Sequence, residues 1–441
     1  MTREKITTHH TPKSWEKEIK KYVAGEPVDI YARFSYPELQ SREQKFAEMT
    51  GTPDTALFNA GMAAIHTSVE AENLKPGDVV LCGRDVYSQT KEIYNSLQKR
   101  GIKIVMVDSG DMEEIAEKIK TEKPRLIILE DVANATTMQV NDIKKLIELA
   151  EKANERYKTE LNPEYLLDEY FSKRQEKHGK ETKNLENKIL EQFAEFKKSN
   201  NPFIFRSIIK DIGIKETVRV VKHLFRNSRE KLSLIVDNTL ASPSLYNPLK
   251  ELGDSDVEMV VVESATKHYQ KGHDKITMGI AYSNNDNKIK AIKKKRAEIG
   301  SYLQPITERQ IPDDITSAMP EIMKRHASNA LELAKFLSGF GLDVSHPNLK
   351  EHKNSELVKE IAPEGLVTIF YINMPDSSAF LKRVYEAGKG KIGVGGSFGH
   401  KETWLLNLGE NTIRIAAGSE SKEEFKEVLN AFEEVIKELK K

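Results

Sequence analysis

Six short apolar runs, at 79–82, 102–107, 126–129, 234–236, 259–262 and 276–281, alternate with stretches of helical periodicity. No other feature constrains the fold as much. None of the runs alternates apolar with polar residues, the pattern of strands covered on both faces by helices. Lys75-Pro76-Gly77-Asp78 reads as a turn, and Lys123-Pro124 closes a helix before the next run. The expectation is an α/β fold with a mostly parallel sheet built from βαβ units.

The chain's 441 residues leave room for more than one domain. We expect an N-terminal arm over 1–45, a large domain over 46–295 and a smaller α+β domain over 296–441. In the last, helical patterns at 321–337, 377–386 and from Lys422 onward flank strands at 367–372 and 412–416. A helical pattern at 287–299 leads out of the large domain. From about 151 to 230 the sequence becomes Lys/Glu-rich and helical, interrupted at Asn200-Asn201-Pro202, where a compact domain needs only a short connection. We read an inserted helical subdomain, with a solvated excursion, a lid and an oligomer contact all open.

Composition narrows the function. With 68 Lys+Arg against 68 Asp+Glu there is no basic footprint for nucleic acid. No segment approaches the roughly 18 consecutive apolar residues of a membrane helix, and residues 1–13 read as neither a secretory nor a transit leader. One cysteine, Cys82, excludes an intramolecular disulfide and a multi-thiolate metal site, and fits a cytoplasmic setting. His66, His268 and His273 are too scattered for a metal centre, so no metal is expected. A small-molecule partner is.

The most informative stretch is Leu234-Ile235-Val236-Asp237-Asn238-Thr239, followed by Ser264-Ala265-Thr266-Lys267. An Asp ending a buried strand needs a cationic partner, because burying an unpaired carboxylate is costly. A Lys just past the next strand, flanked by hydroxyls, suggests an amine kept for chemistry. Together they point to pyridoxal phosphate, which needs a Lys for a Schiff base, an Asp for its pyridine nitrogen, and hydroxyls and amides for its phosphate. Phe58-Asn59-Ala60-Gly61-Met62 adds a glycine directly before a helix, where free amides and the helix dipole favour phosphate. It lacks the dinucleotide G-x-G-x-x-G spacing.

These residues resemble the cysteine and methionine metabolism family of pyridoxal-phosphate enzymes, relatives of cystathionine γ-synthase, cystathionine lyases, methionine γ-lyase and O-acetylhomoserine sulfhydrylase. The matching stretches run in the family's order. They are Tyr31-x-Arg33, Ala60-Gly61-Met62-Ala63-Ala64, Lys75-Pro76-Gly77-Asp78, Asp85-Val86-Tyr87, Glu130-x-x-x-Asn134 and Val236-Asp237-Asn238-Thr239. Asn247-Pro248-Leu249, Ser264-Ala265-Thr266-Lys267, Gly272-His273, Ser397-Phe398-Gly399 with Glu402, and Arg414-x-x-x-Gly418-x-Glu420 follow. The resemblance implies the type I aminotransferase-like fold. It implies Lys267 as Schiff-base lysine and proton carrier, Asp237 beneath the pyridine nitrogen, Tyr87 stacked on the ring, and Asn134 bonded to the ring oxygen. Gly61, Met62, Ser264 and Thr266 would hold the phosphate. Tyr31 and Arg33 would reach the phosphate of a neighbouring subunit in a dimer or tetramer. Arg414, with Ser397, would bind the substrate carboxylate.

The sequence departs from the family's pattern at the insertion and at 314–319, where the family's Arg-Gly-x-x-Thr loop is not found. Two further departures are a short segment between Glu402 and Arg414 and a stretch from Lys267 to Gly272 one residue longer than usual. Tyr87-Ser88-Gln89 lacks the Cys that methionine γ-lyases carry two residues after the Tyr. Tyr31 leans toward γ-elimination or γ-replacement on a sulfur-containing or homoserine-derived amino acid. β-Elimination, or a scaffold whose insertion binds a partner, are the alternatives.

Overall fold

The computed structural model describes residues 31–172, 180–199, 201–227, 231–409 and 411–439, with isolated positions 16, 19, 20, 23 and 24. The leader reading of 1–13 and most of the expected arm lie outside the described residues. The larger sheet contains β1 (Thr55–Phe58), β2 (Val79–Gly83), β3 (Lys103–Val107), β4 (Leu126–Glu130), β5 (Ser233–Asp237), β6 (Glu258–Glu263) and β7 (Gly279–Ser283). Its seven strands lie in the order β1-β7-β6-β5-β4-β2-β3. From β3 to β6 the pairing is parallel, while β7 is antiparallel to both β6 and β1. A mostly parallel sheet is what unbroken apolar runs require.

The structure departs from the sequence expectation in physical detail. β3 is an edge strand with Lys103 exposed and Ile104 to Met106 only partly covered, so it is not buried on both faces. β7 begins at Gly279 rather than 276 because the preceding amides are used elsewhere. Ile276 donates to Gln270 Oε1 at 2.9 Å and Met278 to Thr266 Oγ1 at 3.0 Å. β1 gives no signal in the sequence: four buried residues between turns are too few to carry a period.

Helices cover both faces. Met112–Glu122 begins at Asp111, whose carboxylate accepts from the Glu113 and Glu114 amides. Ile143–Glu160 is capped by Asp142 through the Lys145 amide. This helix runs past residue 151, where the sequence suggests that the insertion starts. Asn154 within it grips the entrance to β5, accepting from the Leu232 amide at 2.5 Å. The added helical layer therefore departs after Glu160. It comprises Pro163–Ser172, Lys180–Ser199 and Arg206–Asn227, which pack against one another.

The smaller sheet contains β8 (Asp343–Ser345), β9 (Ile369–Asn373), β10 (Ile392–Val394), β11 (Thr403–Asn407) and β12 (Thr412–Ala416), in the order β10-β11-β12-β9-β8. Helices Ser377–Ala387 and Lys422–Leu439 pack on each other beside it, with the Phe380 and Phe432 ring centroids 6.1 Å apart. Helix Ile315–Gly339 joins the two layers. Its first turns add Ile315, Met319 and Met323 to the main core, and its last add Leu333 and Leu337 to the core of the smaller sheet. One helix thus contributes to both cores.

Candidate active site

The carboxyl ends of parallel strands are where an open α/β sheet binds ligands. Here three neighbouring strands end in acids: Glu130 on β4, Asp237 on β5 and Glu263 on β6, with Glu130 and Asp237 paired in register. Burial pushes all three carboxyls up, Glu130 well above its usual range, Asp237 to about 6 and Glu263 to about 8. Glu263 is satisfied by the hydroxyls of Tyr269 and Tyr282, each at 2.6 Å. Glu130 accepts the amides of Tyr87 at 2.6 Å and Asn134 at 2.8 Å. Asp237 differs in that both its donors, the amide of Thr239 at 3.0 Å and the Thr239 hydroxyl at 2.5 Å, fall on Oδ1. Like the other two carboxyls it has no cation among the described residues to offset its burial. A cationic ring nitrogen is the group such a carboxylate lacks.

Lys267 closes a turn directly after β6, its amide donating to Ser264 O at 3.2 Å. Its Nζ lies 3.3 Å from Ser397 Oγ and 5.1 Å from the Phe398 ring centroid. Burial first, and then the charge of Arg414, lower the amine from its ordinary value, so a larger fraction is neutral at moderate pH. The loop carrying Ser397 can come this close because position 399 is glycine at φ +85. A Cβ there would overlap the Lys267 carbonyl. Arg414, in the middle of β12, donates Nη2 to Gly396 O at 2.6 Å and Ser397 O at 3.2 Å, while its buried Nε has no hydrogen-bond partner. A loop residue, an amine and a guanidinium from distant parts of the chain therefore meet.

Gly61 opens helix Gly61–Ala71 without a side-chain cap, leaving first-turn amides, including that of Met62, available to an anion. A Cβ at Gly61 would stand 2.6 Å from Ser264 Cβ, so the helix start presses against the Ser264 turn and only glycine fits. Ser264 donates its amide to Thr239 Oγ1 at 2.8 Å. The Thr266 hydroxyl is engaged in the turn, accepting from the Met278 amide at 3.0 Å. Tyr87 follows β2 with its side chain exposed. Asn134, in the loop after β4, accepts from the Tyr371 hydroxyl at 3.1 Å. Arg33 donates to Ala297 O at 2.5 Å, and its guanidinium lies 4.7 Å from the Phe34 ring and 5.7 Å from that of Tyr31. Within this chain the pair thus packs at the end of helix Asp286–Ile299.

Sequence reasoning assigns no role to Tyr371, Thr239 or the Glu130 carboxylate. Tyr371 carries no motif and becomes visible only through its β9 register with Arg414. Thr239 and Glu130 stand inside the matching motifs, so their signal is present without its geometry. Lys271, in the longer stretch after Lys267, forms an ion pair with Asp314, where the family's usual loop is missing. Two departures from the family pattern thus meet in space. Among the described residues no group of three or more His, Cys, Asp or Glu could hold a metal ion, and no helix is long and apolar enough to cross a membrane.

Comparison with known proteins agrees with this arrangement. Residues 6–159 and 167–389 match the sequence model of the family described as Cys/Met metabolism PLP-dependent enzyme, and the chain belongs to that family. Cystathionine gamma-synthase of Escherichia coli (strain K12) is 36% identical over 121 residues, covering 27% of this chain and 31% of that protein. Cystathionine beta-lyase of Neurospora crassa is 23% identical over 370 residues, covering 84% of this chain and 62% of that protein. The chain thus spans less than two thirds of the length of these two relatives. Cystathionine gamma-lyase of Homo sapiens is 23% identical over 420 residues, covering 91% of this chain and 82% of that protein. A solved cystathionine gamma synthase from Xanthomonas oryzae pv. oryzae, in complex with aminoacrylate and cysteine, shares the fold at TM-score 0.68 and 16% identity. That match covers 99% of this chain and 92% of the other.

Proposed function

We propose that the protein is a pyridoxal-phosphate-dependent lyase or transferase acting on a sulfur-containing or homoserine-derived amino acid by γ-elimination or γ-replacement. The observation that supports a pyridoxal-phosphate site is the meeting of Lys267 and Arg414 at Ser397, together with a buried Asp237 at a strand end that no cation offsets among the described residues. Tyr31 and the missing Cys after Tyr87 support the γ choice. When bound, the cofactor supplies an aldehyde that exchanges between amines and a ring that takes up electrons from the α-carbon.

The chain's own residues would do the rest. Asp237 would pair with the ring nitrogen and keep it protonated. Gly61, Met62 and Ser264, with Thr266 behind them, would hold the phosphate, and Tyr87 would cover the ring. Asn134 would donate to the ring oxygen. Arg414 would receive the substrate carboxylate bidentately, exchanging the Gly396 and Ser397 carbonyls for it. Lys267, lowered by burial, would take the proton from the α-carbon and return it at another carbon, with Tyr87 supplying one to the leaving group. Tyr31 and Arg33 would complete the site of a neighbouring subunit, making the active unit a dimer or a pair of dimers. The cytoplasm, which keeps thiols reduced, is the proposed setting for a chain whose one cysteine is buried.

β-Elimination is the second reading, because it needs the same Lys, Asp, Arg and Tyr, and the curated relatives include both γ- and β-lyases. The test is the visible spectrum of the purified protein, titrated with cystathionine, O-acetylhomoserine, methionine and cysteine, followed by identification of the keto acid. A four-carbon 2-oxo acid or a γ-replacement product supports the proposal, and pyruvate supports β-elimination. No visible band after adding pyridoxal phosphate would overturn both.

A further inference from the structure

We infer that Tyr371 is the positioning residue that holds the Asn134 side chain in place, with Nδ2 free to face the cofactor ring. The inference rests on the reading of Asn134 as the partner of the ring oxygen. Tyr371 sits on β9 directly across from Arg414 on β12, so the two side chains leave the smaller sheet on one face as cross-strand neighbours. It is 3% exposed, and its hydroxyl reaches Asn134 Oδ1 at 3.1 Å. This bond joins the smaller sheet to the loop after β4. The backbone of Asn134 is held separately, its amide donating to Glu130 Oε2 at 2.8 Å. One tether fixes the chain and the other fixes the amide plane.

A carboxamide has an acceptor end and a donor end that exchange by a half-turn. A negatively charged ring oxygen accepts hydrogen bonds, so only Nδ2 can serve it, and Oδ1 must then face a donor. Tyr371 is that donor. Burial pushes its phenol up to about 12, and the charged groups bearing on it are Arg414 and Glu130, so it keeps its proton at moderate pH. Without the hydroxyl Oδ1 loses its donor, and the Asn134 amide is held toward the ring by its bond to the ring oxygen alone.

The measurement is a pH titration of the visible absorption of the holoenzyme for four proteins: parent, Tyr371→Phe, Asn134→Ala and the double variant. An N–H bond to the ring oxygen draws charge from it and weakens its hold on the proton shared with the Lys267 nitrogen. Losing that bond raises the midpoint. Asn134→Ala should raise it, Tyr371→Phe should raise it less, by roughly half a pH unit, and the double variant should match Asn134→Ala. An unshifted Tyr371→Phe beside a shifted Asn134→Ala sinks the inference and leaves the Asn134 reading standing. An unshifted Asn134→Ala sinks that reading, and the inference with it. A double variant shifted beyond Asn134→Ala would mean that Tyr371 acts by another route, which also overturns the inference.

Discussion

At the residue scale the site sets function against stability. Asp237 is the clearest case, since its carboxyl rises from 3.8 to about 6 through burial without a cation. A folded-state value above the unfolded one means that the group costs nothing below about pH 4 and destabilises the fold increasingly as pH rises through 6. Asp237→Asn should therefore stabilise the cofactor-free protein at pH 8, by on the order of 2 kcal/mol, and should show no gain near pH 4. Denaturant unfolding at the two pH values checks this. The same variant should bind pyridoxal phosphate weakly and turn over little. Lys267 gives a prediction of opposite kind. Lys267→Ala should abolish turnover, and substantial residual activity would remove it from the chemistry. Because Arg414 lowers the Lys267 amine, Arg414→Gln should shift the rising limb of the pH–rate profile to higher pH, besides weakening carboxylate binding. An unmoved limb would mean that another group is the base.

At the element scale the site depends on two close approaches that only glycine permits. At Gly399, φ is +85 and a Cβ would run into the Lys267 carbonyl, so Gly399→Ala combines backbone strain of about 1–3 kcal/mol with a displaced lysine turn. Gly396 lies on the same loop with open space around it. Gly396→Ala should therefore leave cofactor affinity nearly unchanged, while Gly399→Ala should lower it at least tenfold by fluorescence titration. Equal effects would mean that the loop does not hold the lysine. The contrast also shows why some of the site is readable in sequence. Asp237 and Gly61 announce themselves because each breaks a local rule, a charge at a buried strand end and a glycine before a helix, and Lys267 because it follows Ser264 and Thr266 just past a strand. The interior runs of β4, β5 and β6 are readable because a short unbroken apolar stretch between turns fits a strand covered on both faces and little else. β8 and β10 escape because three partly covered residues at a sheet's edge carry little period, and β11, though paired on both sides, because only Thr403 and Leu405 of its five residues are buried. Tyr371 escapes because its significance is a register with Arg414, which pairing creates and sequence order hides.

At the scale of the whole molecule, the question is whether the helical layer after Glu160 serves the site or stands apart from it. Its three helices, with the short turn Pro202–Phe205 between the last two, bury Phe171, Ile189, Phe193, Phe205, Ile208, Val220 and Leu224. Helix Pro163–Ser172 packs on both of its partners and touches helix Ile143–Glu160. Every candidate site residue lies outside 162–230. The bond from Asn154 to the Leu232 amide, which sets the entry to β5, also lies outside that span. Replacing 162–230 by a short glycine-serine linker should therefore leave a folded protein that still takes up pyridoxal phosphate with an unshifted visible band. The seam residues Tyr157 and Leu161 would gain exposure, at a cost of about 2–4 kcal/mol by area. The unfolding midpoint should fall accordingly. Sedimentation of the same protein then separates the roles left open for this layer. A retained band with a smaller assembly makes it an oligomer contact, and a retained band with an unchanged assembly makes it an excursion or a partner surface. A lost band in a folded chain would mean that these helices support the active site through helix Ile143–Glu160, since that helix leads from the Asn134 loop to the layer.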